Sequence, residues 1–258
     1  ERTAAIISDS VPVKLLLFRR LTQIQTLLYR DTDAAQIEGA IRDTNRLLRF
    51  WNRTYEPFVK EFMAHHGELA PRLQSWYVMI VGHWHLGVII FANLIKEIDD
   101  AGLGLEDQRV ERESSCYAYH LRKESSIAAS DLARLSLLES NPLSKGAQGF
   151  DKLFQGIGAS LLLTDPWSSL FIRLFILAAV TFYEEACEGR GGSLNFLAMG
   201  LDLQTDTQWR CRMCIDALYC LGKISDVALV AARTLSEGLD KAILSQCLME
   251  VEHSNFGA

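Results

Sequence analysis

From Leu73 to Ile95 the chain runs for 23 residues without an Asp, Glu, Lys or Arg. Within this run, QSWYVMIVGHWHLGVII (74–90) holds two histidines one residue apart, three large aromatics and two glycines. Three arrangements suit such a stretch: a metal site, a membrane span or a buried helix. On an α-helix each residue turns by about 100°, so His83 and His85 point about 160° apart and cannot clasp one ion. Helical zinc motifs place their histidines four apart for this reason. A membrane span needs about 20 apolar residues, and the run is long enough. Gln74, Ser75, His83, His85 and Asn93 are nevertheless costly in lipid. The flanking KEIDD carries more acid than base, and the second apolar run, 167–183, contains Arg173. A helix apolar on every side is otherwise one enclosed by protein. Gly82 and Gly87 then mark places where other helices cross closely, because each costs about 1 kcal/mol against alanine in a helix interior. The expectation is a central helix wrapped by others.

The rest of the chain is consistent with helices. There are five prolines and seventeen glycines in 258 residues, few for an all-β protein with its many turns. No apolar run alternates with period two, and no Asn-Gly or Asp-Gly turn joins two such runs. Leu17, Leu21, Ile24 and Leu28 draw one helical stripe, with Ser10 and Pro12 read as its start. Ile37, Ile41, Thr44, Leu48 and Trp51 draw a second, capped by Asp33. Asp165 and Pro166 read as the start of the helix that runs through LFIRLFILAAVTF. A further helix is expected after Asp206, stopping at Gly222 as a C′ residue. Two shorter helices should follow, broken near Gly238. Loops fall near 100–106, 140–150 and 188–205. These readings predict an all-α fold of roughly eight to ten helices around the buried central helix, as a single domain over 1–258.

Half the residues are apolar (49%), so a sizeable core is within reach. The net charge is −6, whereas a domain that grips nucleic acid through phosphates carries a basic excess. Direct DNA contact by this segment is therefore not expected. The chain opens on Glu1 and reads as a fragment of a longer polypeptide, without a signal peptide. Its six cysteines are not needed as a disulfide framework in a chain with this much core, which points to a reducing intracellular compartment.

Other chemistry is thin. Cys211, Cys214 and Cys220 tempt one toward zinc, but a closed site needs four ligands and no second pair completes it. They read as buried thiols on one side of a helix. Glu250 and His253 have the Glu-x-x-His spacing of di-iron bundles, where two such motifs and two more glutamates are required. His65 and His66 read as a helix end. Glu184 and Glu185, near another helix end, read as solvated. There is no GxSxG elbow, P-loop or GxGxxG after a strand. No catalytic, cofactor-binding or metal-binding residue is assigned, and the chain is not expected to be an enzyme. Two alternatives stay open: an enzyme with an unfamiliar helical active site, and a membrane-associated helical protein.

VPVKLLLFRRLTQIQTLLYR (11–30), QSWYVMIVGHWHLGVIIFANLIKEID (74–99), LLLTDPWSSLFIRLF (161–175) and RMCIDALYCLGKISDVALVA (212–231) resemble the regulatory region of fungal zinc-cluster transcription factors. This region is also called the middle homology region or fungal-specific transcription factor domain. The Gly-His-Trp-His word and the Thr-Asp-Pro-Trp helix start are the most specific parts of the resemblance. It implies a nuclear, all-helical domain that restrains or transmits activation without touching bases. Partners would be transcriptional co-regulators, a second copy of the chain or a small-molecule inducer, with no membrane involved. Zinc and DNA binding would belong to an absent N-terminal module, because Cys211, Cys214 and Cys220 do not have the spacing of that module's cysteines. Around Gly-His-Trp-His the glycines open space between side chains of mixed character. His83, Trp84 and His85 are therefore the residues expected to line or buttress an inter-helix pocket.

Overall fold

A computed structural model of the chain describes residues 2–30, 34–65, 71–100, 108–138, 168–188 and 200–255. Among these residues there are eight helices and no strand: α1 (Arg2–Tyr29), α2 (Ala34–Thr54), α3 (Glu56–His65), α4 (Pro71–Asp100), α5 (Gln108–Leu138), α6 (Ser168–Glu188), α7 (Gly200–Leu221) and α8 (Asp226–Asn255). The fold is all-α, as periodicity and the scarcity of turn residues require.

The apolar side chains collect into two cores. The first joins Leu17, Leu21 and Ile24 of α1 to Ile37, Ile41, Leu48 and Trp51 of α2, with Ala118 and Leu121 of α5. The second joins Phe171, Phe175 and Phe182 of α6 to Cys211, Cys214 and Leu218 of α7 and Ala228 and Ala232 of α8. Helix α4 serves both. Ile80, Trp84, Val88, Phe91, Ile95 and Ile98, spaced by four and three, enter the first core. Val81, Leu86 and Ile89, turned away from them, enter the second. No residue from Met79 to Ile95 is exposed. Exposure resumes at Lys96, where the charged end of α4 begins.

The two glycines of α4 have their reasons in its neighbours. A Cβ on Gly82 would lie 3.2 Å from Cε1 of Phe171 on α6, and one on Gly87 would lie 2.7 Å from Cδ2 of Leu17 on α1. Leucine at either position would hold the helices apart. The backbone approach permitted by a missing side chain outweighs the helix propensity lost.

Several boundaries differ from the sequence reading. Neither Ser10 nor Pro12 starts α1, because the helix already runs from Arg2 and carries both residues inside it. An internal proline removes a backbone donor and loosens the preceding turn. Here Tyr55 Oη–H donates to the carbonyl of Asp9 in that turn (3.1 Å), so a carbonyl there gains a side-chain donor. Pro57 and Pro71 do lie in the first turns of α3 and α4. Helix α7 begins at Gly200 rather than after Asp206. Asp206 instead sits in the helix and accepts from Arg210 Nε one turn on (2.8 Å), a stabilising i,i+4 pair. The stop at Gly222 agrees: its N–H donates to Leu218 O (2.8 Å) and the chain then turns. Gly238 does not break the last helix, which runs unbroken over Asp226–Asn255. It faces the Tyr183 ring, whose Cε2 would stand 3.5 Å from an added Cβ.

The stripes themselves hold. Ile37, Ile41, Thr44, Leu48 and Trp51 are all buried, as are Leu17, Leu21 and Ile24, with Leu28 partly covered. Asp33, Asp165, Pro166 and the loop expected near 140–150 lie outside the described residues, as do 101–106 and 189–199 of the other two loops, whose ends at Asp100, Glu188 and 200–205 are helical instead.

Candidate functional site

Trp84 leaves α4 toward α2 and stacks on Trp51, with ring centroids 4.0 Å apart and planes 10° from parallel. Tyr55 extends the aromatic group, 4.9 Å from Trp51. Wide, rigid rings fill volume well at their faces and poorly at their edges. A cleft of ≈ 300 Å³ lies beside the pair, between the α2–α3 junction, α4 and α5. Trp51, Trp84, Val88 and Leu121 form apolar wall, while His85 and Ser125 supply polar atoms. Glu56, Lys60 and Glu124 also border it. Lys60 Nζ donates to Glu56 Oε1 across one turn of α3 (2.7 Å).

The two histidines part company, as a 100° helical step dictates. His85 turns to α5, where its Nδ1 lies 3.1 Å from Ser125 Oγ. Burial pushes its pKa down to about 4, so the ring is neutral at pH 7. His83 turns to α1. Its Nδ1–H donates to Met79 O (2.8 Å), and a carbonyl partner fixes the proton on Nδ1. Phe18 meets the His83 ring edge-on, centroids 6.3 Å apart. Burial lowers the His83 pKa, the Met79 hydrogen bond opposes this, and the charge of Lys14 adds to the lowering. Of the three residues singled out from sequence, Trp84 and His85 line the cleft, whereas His83 stands on another face of α4 and is not part of that lining.

Serine beside histidine invites comparison with a nucleophile and its base. The setting is unsuited to that task. Ser125 is 3% exposed in the middle of α5, and an imidazole with a pKa of about 4 is a weak base at neutral pH. No described carboxylate orients the other ring nitrogen. The pair is better suited to holding a neutral ring in place at the wall of a cleft.

Of the three cysteines of α7, Cys211 and Cys214 are thiols in the second core, whereas Cys220 is only partly buried and lies outside it. Cys211 and Cys214 are fully buried, and Cys211 Sγ–H donates to Ala179 O (3.4 Å). Burial pushes the Cys211 pKa up to about 12 and raises that of Cys214 as well. Among the described residues, no three His, Cys, Asp or Glu side chains converge on one point. The Met79–Asp100 part of α4 meets the length and composition of a membrane-crossing helix, and 61% of its apolar window is buried inside this protein.

Glu184 and Glu185 correct a further expectation. They are only partly solvated, their side chains 32% and 14% exposed, and both are paired. Glu184 accepts from Arg122 (2.9 Å) and Lys96 (3.2 Å), and Glu185 pairs with Lys123 (3.6 Å). Burial works against the Glu184 charge, but these donors hold its carboxyl below the usual range. The group ties α4, α5 and α6 together where α6 ends. Such pairs leave no local signal, because the cations lie far away in sequence.

Comparison with known proteins returns no matching family model, no similar curated protein and no similar solved structure.

Proposed function

We propose that this chain is the regulatory domain of a fungal zinc-cluster transcription factor, acting in the nucleus without contacting DNA. It would control transcription through intramolecular contacts, co-regulator or self-association, or a small molecule. The four quoted segments support the reading, and one observation carries it beyond them. The Gly-His-Trp-His word lies on α4, the helix that serves both cores. Trp84 belongs to one core, Gly82 admits the Phe171 ring of the other, and His85 borders the cleft. A contact at the cleft therefore bears on the packing of both halves, which a two-state regulator requires. Zinc would belong to a DNA-binding module elsewhere in the polypeptide and to no residue of this chain. The acidic balance, −6, fits a domain that leaves phosphate contact to that module.

The test is a reporter assay in a fungal host. The chain is fused between a heterologous zinc-cluster module and an activation segment. The reading expects it to change reporter output relative to the same fusion without it, and Trp84→Phe to alter that change. Equal output with and without the chain rejects the reading.

A further inference from the structure

The cleft beside the tryptophan pair has the volume of a small-ligand site, whose usual range begins at about 300 Å³. Its chemistry narrows the occupant. Two indoles and the aliphatic carbons of Val88 and Leu121 favour a flat, apolar body. His85 has one ring nitrogen engaged by Ser125 Oγ. Among the described residues Nε2 has no hydrogen-bond partner, and His85 is only partly buried where it lines the cleft, so this nitrogen is left for a ligand. If Ser125 donates to Nδ1, Nε2 carries the proton and donates. If Nδ1 carries the proton, Nε2 accepts. A hydroxyl satisfies either case, since it both donates and accepts. The neutral imidazole offers no charge to an anion. Of the charged groups bordering the cleft, Glu56 and Glu124 outnumber Lys60, and Lys60 is already committed to Glu56. A carboxylate entering there meets net negative charge.

We infer that this cleft binds a small uncharged aromatic alcohol or phenol, its ring against Trp51, Trp84 and Leu121 and its hydroxyl on Nε2 of His85. The inference deepens the regulatory reading and rests on it only for the consequence of binding, because binding itself is measured without a reporter.

The 258-residue chain is titrated with 2-naphthol, naphthalene and 2-naphthoate, followed by calorimetry and by ligand-observed NMR. 2-Naphthol is expected to bind, and 2-naphthoate to bind at least several-fold more weakly. His85→Phe keeps the ring volume and removes the hydrogen bond. It should weaken 2-naphthol by about three- to tenfold and leave naphthalene unchanged. Glu124 is exposed, so Glu124→Gln preserves the fold. It should raise 2-naphthoate affinity about twofold or more. Failure of 2-naphthol to bind the unaltered chain overturns the inference, as does equal 2-naphthol affinity in a folded His85→Phe variant. If that variant does not fold, equal affinities of 2-naphthol, naphthalene and 2-naphthoate for the unaltered chain overturn it instead. Binding without any reporter effect rejects the regulatory reading alone. A reporter effect without binding rejects this inference alone.

Discussion

The two cores mix large and small side chains in different proportions. The first is filled by large groups: a stacked Trp51–Trp84 pair and long aliphatics from α1, α2 and α4. The second sets Phe171, Phe175 and Phe182 among many small groups: Ala129, Ala133, Ala178, Ala179, Ala217, Ala228, Ala232 and the two thiols of α7. Small side chains let helices close on one another around the larger rings. Large rings hold helices apart and fill the space between, which leaves room at their edges. The cleft is bordered by Trp51, Trp84 and Leu121 of the first core and by Val81 of the second. The vulnerabilities of the two cores differ accordingly: the first core should suffer most from lost volume, the second from added volume.

The largest expected effect is on the first core. Trp84→Ala removes a 5%-exposed ring and strands its Trp51 partner, which should cost about 3–5 kcal/mol in urea unfolding. The second core is broken the other way. Ala178→Leu forces three extra carbons into a site that is fully buried, with an expected loss of about 1–3 kcal/mol in the same assay.

Acid should strain the His85 contact between α4 and α5. The folded pKa of His85 is about 4, below the unfolded value of about 6.5. Above pH 6.5 both states are neutral and its contribution is whole. As pH falls from 6.5 toward 4 the unfolded chain takes up the proton first, so stability drains away over that window. The loss at pH 5 should be about 1–2 kcal/mol. His83, also lowered, acts in the same direction. Unfolding curves between pH 7 and pH 4.5 check this, and His85→Gln should flatten the dependence. The smallest effect is a gain: Gly238→Ala meets Tyr183 at an ordinary contact distance. It should raise stability by about 0.5–1 kcal/mol, read as a higher Tm.

What could be read from the sequence was whatever period and rotation determine. The α2 face followed from apolar spacing alone, and the divergence of His83 and His85 followed from the helical step. Gly82 and Gly87 announced close crossings, though not that Phe171 and Leu17 would be the groups crossing. The misreadings share a cause. Pro12 and Gly238 carry strong local preferences that tertiary packing overrode, and Asp206 found an intrahelical partner instead of serving as a cap. Glu184 and Glu185 looked solvated because Lys96, Arg122 and Lys123 stand on other helices. The cleft was half legible for the same reason. Trp84 and His85 lie inside a distinctive word, whereas Trp51, Ser125 and Glu124 join them only once α2 and α5 have docked on α4.

The central claim is that α4 makes the two cores one cooperative unit. Equilibrium urea unfolding can be followed at once by hydrogen exchange over 37–51, for the first core, and by thiol labelling of Cys211 and Cys214, for the second. Shared ownership of α4 predicts that both signals change along a single transition with one midpoint. Two separated midpoints, with the thiols exposed while 37–51 stays protected or the reverse, would contradict it.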